Sequence, residues 1–366
     1  MKSVLLKLSG LWLFLITIII NMVFSKVPAA VEVHYSNGFN KAIRQLLSTA
    51  SGIFPFSLAE LIVIAVLIYA LFLIVTLIIN LRKCKNKKTL IFNFAAKVLF
   101  IISVIYFLFI FLWGLNYNRL SFADISKLKV DTTSSKELAG LCEELINRAN
   151  NLRDDLKEDN TGVMYISGGY KDVFAREASG YEALSKKYSE LSGSYGSPKP
   201  VLMSKLMCYT GITGVYFPFT GEANVNVSIN DFMLPCTSAH EMAHQRGFAR
   251  EDEANYIAYA ACTLSPYADF QYSGVMLGLI YSMDALKKAD YNQYKVLTAK
   301  YSPKVLRDLK SDNEFWSKYD GVIENVSDSI NNNYLKSNGQ QDGVKSYGRM
   351  VDLLIAEYKE QIKNNY

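Results

Sequence analysis

The chain has 366 residues, half of them hydrophobic and only 20% charged, with a formal net charge of +5. That length holds two ordinary domains or one domain with a membrane region, and the concentration of apolar residues in the first third favours the second. The charge excess is small and its densest cluster, Arg82 to Lys88, abuts an apolar run, which argues against nucleic acid and makes the lipid bilayer the expected partner.

Three stretches, near residues 8–24, 58–81 and 98–115, approach the roughly 20 apolar residues that a membrane crossing needs. The first is short and follows Lys2 and Lys7; it reads either as a retained anchor or as a cleavable signal peptide ending near Ala29 and Ala30. The second carries one charge, Glu60 at its edge, and the third none, whereas a soluble surface helix would show a polar face. The loop 82–88 holds five basic residues and no acid, so the positive-inside rule places it in the cytoplasm with Lys2 and Lys7. Residues 25–57 and everything after about Asn116 then face outward. The expected organisation is a multi-pass cell-membrane protein, with a membrane region 1–117 and an extracytoplasmic domain 118–366.

Cys142, Cys208, Cys236 and Cys262 fall in that domain at irregular spacing, which allows pairing but fits buried free thiols better. Residues 134–157 carry apolar side chains every three or four residues and predict an amphipathic helix, as do residues 177–191. The turn-rich stretch 192–200 reads as a loop. Residues 211–230 are dense in Gly, β-branched and aromatic residues and alternate at 224–229, predicting a hairpin or small sheet. The fold class is mainly α with a small β element.

Helices resume at Ser238-Ala239-His240-Glu241-Met242-Ala243-His244, where two of the chain's three histidines stand four residues apart. On a helix both imidazoles share one face and can reach one ion, with Glu241 beside it. Zinc held this way lowers the pKa of a bound water, and the carboxylate takes its proton during attack on a carbonyl. Pro235 to Ser238 offers a helix start and Gly247 a left-handed stop. A structural alternative is a capping box, Ser238-x-x-Glu241. A catalytic zinc wants a third protein ligand and an open position. His34 lies in the loop between the first two spans, so a nearby carboxylate is the better candidate: Glu251, or alternatively Glu253. On a helix Glu251 and Asn255 share a face, which would let Asn255 hydrogen-bond a ligand from behind.

HEMAH followed by EDEANYIA resembles the gluzincin branch of zinc peptidases, in which the HExxH helix is followed by a glutamate helix. The resemblance implies one Zn2+ per chain on His240, His244 and Glu251, with Glu241 as general base and Asn255 where those enzymes carry an aspartate. The metzincin pattern is excluded because Arg250 occupies the place of its third ligand. The strings PFSLAE, GVYFPFTGEANVN, HEMAHQRGFAREDEAN and YLKSNGQQDGVKSYGRMVDLL look like an uncharacterised family of bacterial membrane proteins with a zincin-like domain. In gluzincins an edge strand above the metal binds substrate backbone. Residues 222–227 resemble that strand, which implies contacts from Asn224 and Asn226, or else form a plain hairpin. Tyr216 is a candidate for the oxyanion or a packed aromatic.

Residues 270–287 are apolar enough for a fourth span, but Gln271 and Asp284 at their ends favour a buried helix. Ser337-Asn338-Gly339 predicts a turn. The expected function is hydrolysis of peptide or protein substrates at the outer face of the membrane. The alternative from another class is a zinc- or peptide-binding sensor or assembly protein. A transporter would need intramembrane charges that these spans lack.

Overall fold

A computed structural model describes residues 9–364; Lys2, Lys7 and the first residue of the first expected span lie outside them. Helix α1 (Ser9–Phe24) is followed by Pro28–Ala30, a π-helical segment Val31–Phe39 and α2 (Asn40–Gly52). Helices α3 (Leu58–Lys83) and α4 (Lys87–Leu112) are long and apolar enough to cross a membrane; α1 becomes a third only together with Pro28–Gly52, from which it is bent by 100°. Against the expected 98–115, α4 starts eleven residues earlier, because Lys97 lies over the Tyr69 ring of α3 and does not break the helix. It also ends sooner. Trp113 leaves the helical region and residues Gly114–Asn118 continue as a 3-10 turn. α1 packs on α4 through Phe14 and Tyr106, and Asn118 donates to Asn21.

The ends of these helices leave unpaired backbone groups that need partners. Around α3 the partners come from the domain it carries: the Glu222 carboxylate accepts from Leu58 N–H and Ala59 N–H at 3.0 and 2.8 Å, and Ser57 Oγ accepts from Glu60 N–H. Glu60 in turn accepts from Leu202 N–H and Met203 N–H, which accounts for the single charge in that span. At the end of α4, Tyr35 donates to the Phe111 carbonyl and Asn40 to that of Leu112.

The remainder is mainly helical with one small mixed sheet. Helix α5 (Ser135–Asp154) opens on a capping box from Ser134 and Glu137. The helix expected over 177–191 is two pieces, Ala178–Ser185 and a 3-10 turn Ser189–Leu191, separated by extended backbone at Tyr188, and a further short helix, Gly169–Arg176, precedes them. Strand β1 (Lys199–Pro200) pairs in parallel with β3 (Glu222–Val225), and β2 (Gly214–Phe217) pairs with β3 antiparallel, Val215 opposite Asn224. The order β1-β3-β2 makes β3 the central strand, so the edge position expected for 222–227 belongs to β2 instead.

Helix α6 (Leu234–Gln245) carries the two histidines and α7 (Glu251–Thr263) follows after a five-residue reversal. Helix α8 (Ala268–Ala289) is the buried helix expected, not a span: Ser273 accepts from Cys236 N–H and Tyr272 donates to Asp308. Its core neighbours include Ala239, Ala243 and Ile257. Helices α9 (Val322–Ser337) and α10 (Met350–Asn364) complete the domain, and the turn at Asn338-Gly339 ends α9 with Gly339 at φ +90°. All five cysteines are free, and the four in this part are buried.

The segment expected as an outward loop, 25–57, folds against the end of α6. Arg44, fully buried, donates to the carbonyls of Gln245 and Ser36 and to Asn40 Oδ1. Arg119 donates to the Gly247 carbonyl and pairs with both oxygens of Glu32 at 2.6 and 2.8 Å. Two cations on the last carbonyls of a helix complement its dipole. Removing one partner of a buried pair strands the other charge, so Glu32→Ala should destabilise the fold by about 3–5 kcal/mol. The full-length protein in detergent should show this as a lowered thermal midpoint; an unchanged midpoint would contradict it.

Candidate metal centre

Helix α6 begins at Leu234 with Pro235 in its first turn, so Ser238 lies inside the helix and its hydroxyl caps nothing. The capping-box alternative is thereby removed and Glu241 is free for another role. His240 and His244 stand one turn apart, ring centroids 4.6 Å apart and planes at 90°. Gly247 at φ +87° then turns the chain, with Gly247 N–H bonded to the His244 carbonyl and Phe248 N–H to that of Ala243. The left-handed backbone there suits glycine.

This reversal brings Glu251, the first residue of α7, back over the imidazoles. Its Oε2 lies 3.1 Å from His240 Nε2 and 3.3 Å from His244 Nε2. Donors held roughly 2.0–2.1 Å from a tetrahedral ion stand roughly 3.3–3.4 Å from one another, so the spacing fits one small cation. Among the described residues this is the cluster of three such groups with ligand atoms within 4.8 Å. Glu253 is turned away: its Oε1 accepts from Phe122 N–H and from Arg250.

The ring tautomers follow from the partners behind them. His244 Nδ1 lies 2.7 Å from the Phe248 carbonyl, which only accepts, so Nδ1 carries the proton. Asn255 donates Nδ2–H to the Tyr347 carbonyl, which fixes its amide so that Oδ1 faces His240 Nδ1 at 2.7 Å and accepts from it. In their neutral form both imidazoles thus direct their Nε2 lone pairs at Glu251, and without a cation a proton on either Nε2 takes that place. Asn255 therefore stands behind His240, as its shared helix face with Glu251 predicted.

Burial shapes the charges. Glu241 is buried, which pushes its pKa up to about 7; His240 and His244 pull it down and Glu251 adds to the rise. Burial raises the pKa of Glu251 as well, but His244 and His240 outweigh it and bring the carboxyl down to about 2. His244 is raised to about 9 by Glu251 against the effect of burial. Among the described residues Oε2 of Glu241 has no hydrogen-bond donor, and with both imidazoles neutral Oε2 of Glu251 has none either. Buried carboxylate oxygens beside two imidazoles form a donor set that would suit a cation. Glu241 lies under β2, where a side chain at Gly214 would sit 2.4 Å from its Oε1, so only glycine leaves room.

A sequence family described as "Protein of unknown function (DUF3810)" matches residues 35–355. The chain belongs to the DUF3810 family. No curated protein and no solved structure matches it. The DUF3810 match takes in α3, α4, the sheet and all of the residues around the histidines, and it begins after α1.

The same residues wall a cavity of about 950 Å³. The walls are β2 residues Gly214 to Tyr216, Trp113 and Tyr117 just after α4, and α9 with Tyr347, with Tyr334 of α9 touching Tyr117. Trp113 meets His244 edge-on at 5.6 Å and Tyr347 stacks on His240 at 6.4 Å. The expected substrate contacts fare differently. Asn224 and Asn226 are buried within the sheet region, Asn224 accepting from Ser57 and donating to the Val215 carbonyl, Asn226 donating to the Ile212 carbonyl. Tyr216 lines the cavity, but its ring packs at a tilt on Trp113 at 4.8 Å and the groups its hydroxyl senses are Arg44 and Tyr195. The aromatic residues that sense Glu251 are instead Tyr117, Tyr281, Tyr334 and Tyr347. None of these stood out in the sequence. Trp113 fell inside an expected span, and Tyr347 inside a family string with no chemical motif of its own.

Proposed function

We propose that this chain is a membrane-anchored zinc metallopeptidase, with a gluzincin-like ligand set, that hydrolyses peptide bonds at the outer face of the cytoplasmic membrane. The observation that carries this reading is the convergence of His240 Nε2, His244 Nε2 and Glu251 Oε2 on one point, with the undonated carboxylate of Glu241 beside it. Zinc bound there supplies Lewis acidity to water and to the scissile carbonyl. Glu241 accepts the proton of the attacking water and returns it to the leaving amine; a base poised near neutrality suits both halves of that exchange. The outer strand β2 offers an edge along which substrate backbone can lie. Tyr347 accepts from Asn331 and keeps its own hydroxyl proton, which makes it the candidate donor to the oxyanion in place of Tyr216. The basic loop 82–88 supports a cytoplasmic position for that loop, which would leave the sheet and cavity outside.

Metal analysis of the purified full-length protein beside His240→Ala tests the first link. About one zinc per chain is expected in the wild type and little in the variant; a wild type that takes up no zinc would sink the reading. Asn255→Leu should weaken zinc binding by about 10–100-fold, because His240 loses the acceptor that fixes its tautomer. Competition with a chelator measures it, and an unchanged affinity would deny Asn255 that part.

A further inference from the structure

The cavity sits directly on the ends of the apolar helices. Trp113, which touches His244, is the residue after the last one of α4. On the other side, Glu222 caps the first turn of α3 from β3, next to the strand that walls the cavity. The histidines are therefore about one side chain away from where a membrane-crossing helix ends.

The wall formed by α9 is unusual for a water-facing mouth. Helix α9 lines the cavity with Ile323, Val326 and Ile330, which are 59%, 53% and 65% exposed and fall on one helix face. That stripe runs into Tyr334, which packs on Phe109 of α4 at 6.2 Å, so an apolar surface continues from the membrane helix into the cavity. Beside the start of α3, Leu202 and Leu206 are 74% and 64% exposed, next to the peptide groups that Glu60 holds. Contiguous exposed apolar surface of this kind marks a membrane or partner contact.

We infer that the site takes its substrate from the membrane: a polypeptide tethered by its own transmembrane helix, cut within a few residues of the point where it leaves the bilayer. The tether lies beside α3 and α4, and the first residues beyond it pass along the apolar stripe of α9 to Glu241. This rests on the peptidase reading and adds the substrate class.

The test uses full-length protein in liposomes with a pool of short randomised peptide segments in four formats. The segment directly follows a transmembrane helix, follows it after a long Gly/Ser linker, carries a single palmitoyl chain, or is free in solution. Mass spectrometry reads the products. Cleavage of the directly tethered format should exceed that of the linker and free formats on the order of 10²-fold, the scale of a raised local concentration. The double variant Ile323→Glu with Ile330→Glu, at exposed positions, should remove most of that advantage while keeping its zinc. Equal cleavage of tethered, linker and free segments would overturn the inference and leave the peptidase reading standing. A palmitoyl format cut faster than the helix-tethered one would overturn the choice of tether. No cleavage in any format by zinc-loaded protein would overturn the peptidase reading and this inference with it.

Discussion

Glu241→Gln is expected to lower peptide hydrolysis by about 10²–10⁴-fold while leaving about one zinc on each chain. The side chain is nearly the same shape, so it fits the space that Gly214 leaves, and it touches none of the three ligand atoms. What is lost is the ability to take a proton from water. On the peptidase reading the wild-type protein should also gain activity as pH rises through the pKa of Glu241, since only the carboxylate can act as base. Burial sets that pKa at about 7 without a cation, and a bound cation lowers it, so the acid limb of the kcat/KM profile belongs at or below about 7. In the Gln variant that limb should vanish. Near-normal hydrolysis by zinc-loaded Glu241→Gln would remove this residue from the mechanism, and undiminished cellular function in the variant would favour the sensor or assembly alternative.

The parts legible in the sequence were those governed by local rules. Apolar runs gave α3 and α4, four-residue spacing gave the paired imidazoles, and a lone glycine marked the end of α6 at Gly247. The rest depended on polarity reversed from its usual sense or on long-range contacts. Helix α2 is the clearest case. It buries Asn40, Arg44 and Ser48 and leaves Leu46 70% exposed, because its inner face serves the carbonyls that end α4 and α6. A pattern search that assumes apolar residues inside reads such a segment as a loop. The place of β3 was hidden for a different reason: its second neighbour, β1, is two residues long and contains Pro200. Without β1, the 222–227 strand looks like an edge and its asparagines look available. Tyr347 reaches His240 only because the 3-10 segment Gly343–Arg349 and α10 fold back on α7, which no local spacing records.

The choice between Glu251 and Glu253 gives the second large expected effect. Structural zinc sites bind with about 10–16 kcal/mol, so one of four coordination positions is worth roughly 3–4 kcal/mol, or roughly 10²–10³-fold in affinity. Glu251→Ala should weaken zinc by that factor and abolish hydrolysis, because Oε2 is the atom shared by both imidazoles. Glu253→Ala should keep zinc, since its carboxylate is spent on Phe122 N–H and Arg250. Its cost is a buried N–H left without an acceptor, about 1–3 kcal/mol of stability. Zinc titration against a chelator and a thermal midpoint, measured on both variants, separate the two outcomes. Zinc lost in Glu253→Ala and kept in Glu251→Ala would require α7 to rotate by about 200° about its axis, the angle between residues two apart on a helix. That rotation would also swing Asn255 away from His240, so the pattern would overturn the ligand set and the tautomer assignment together.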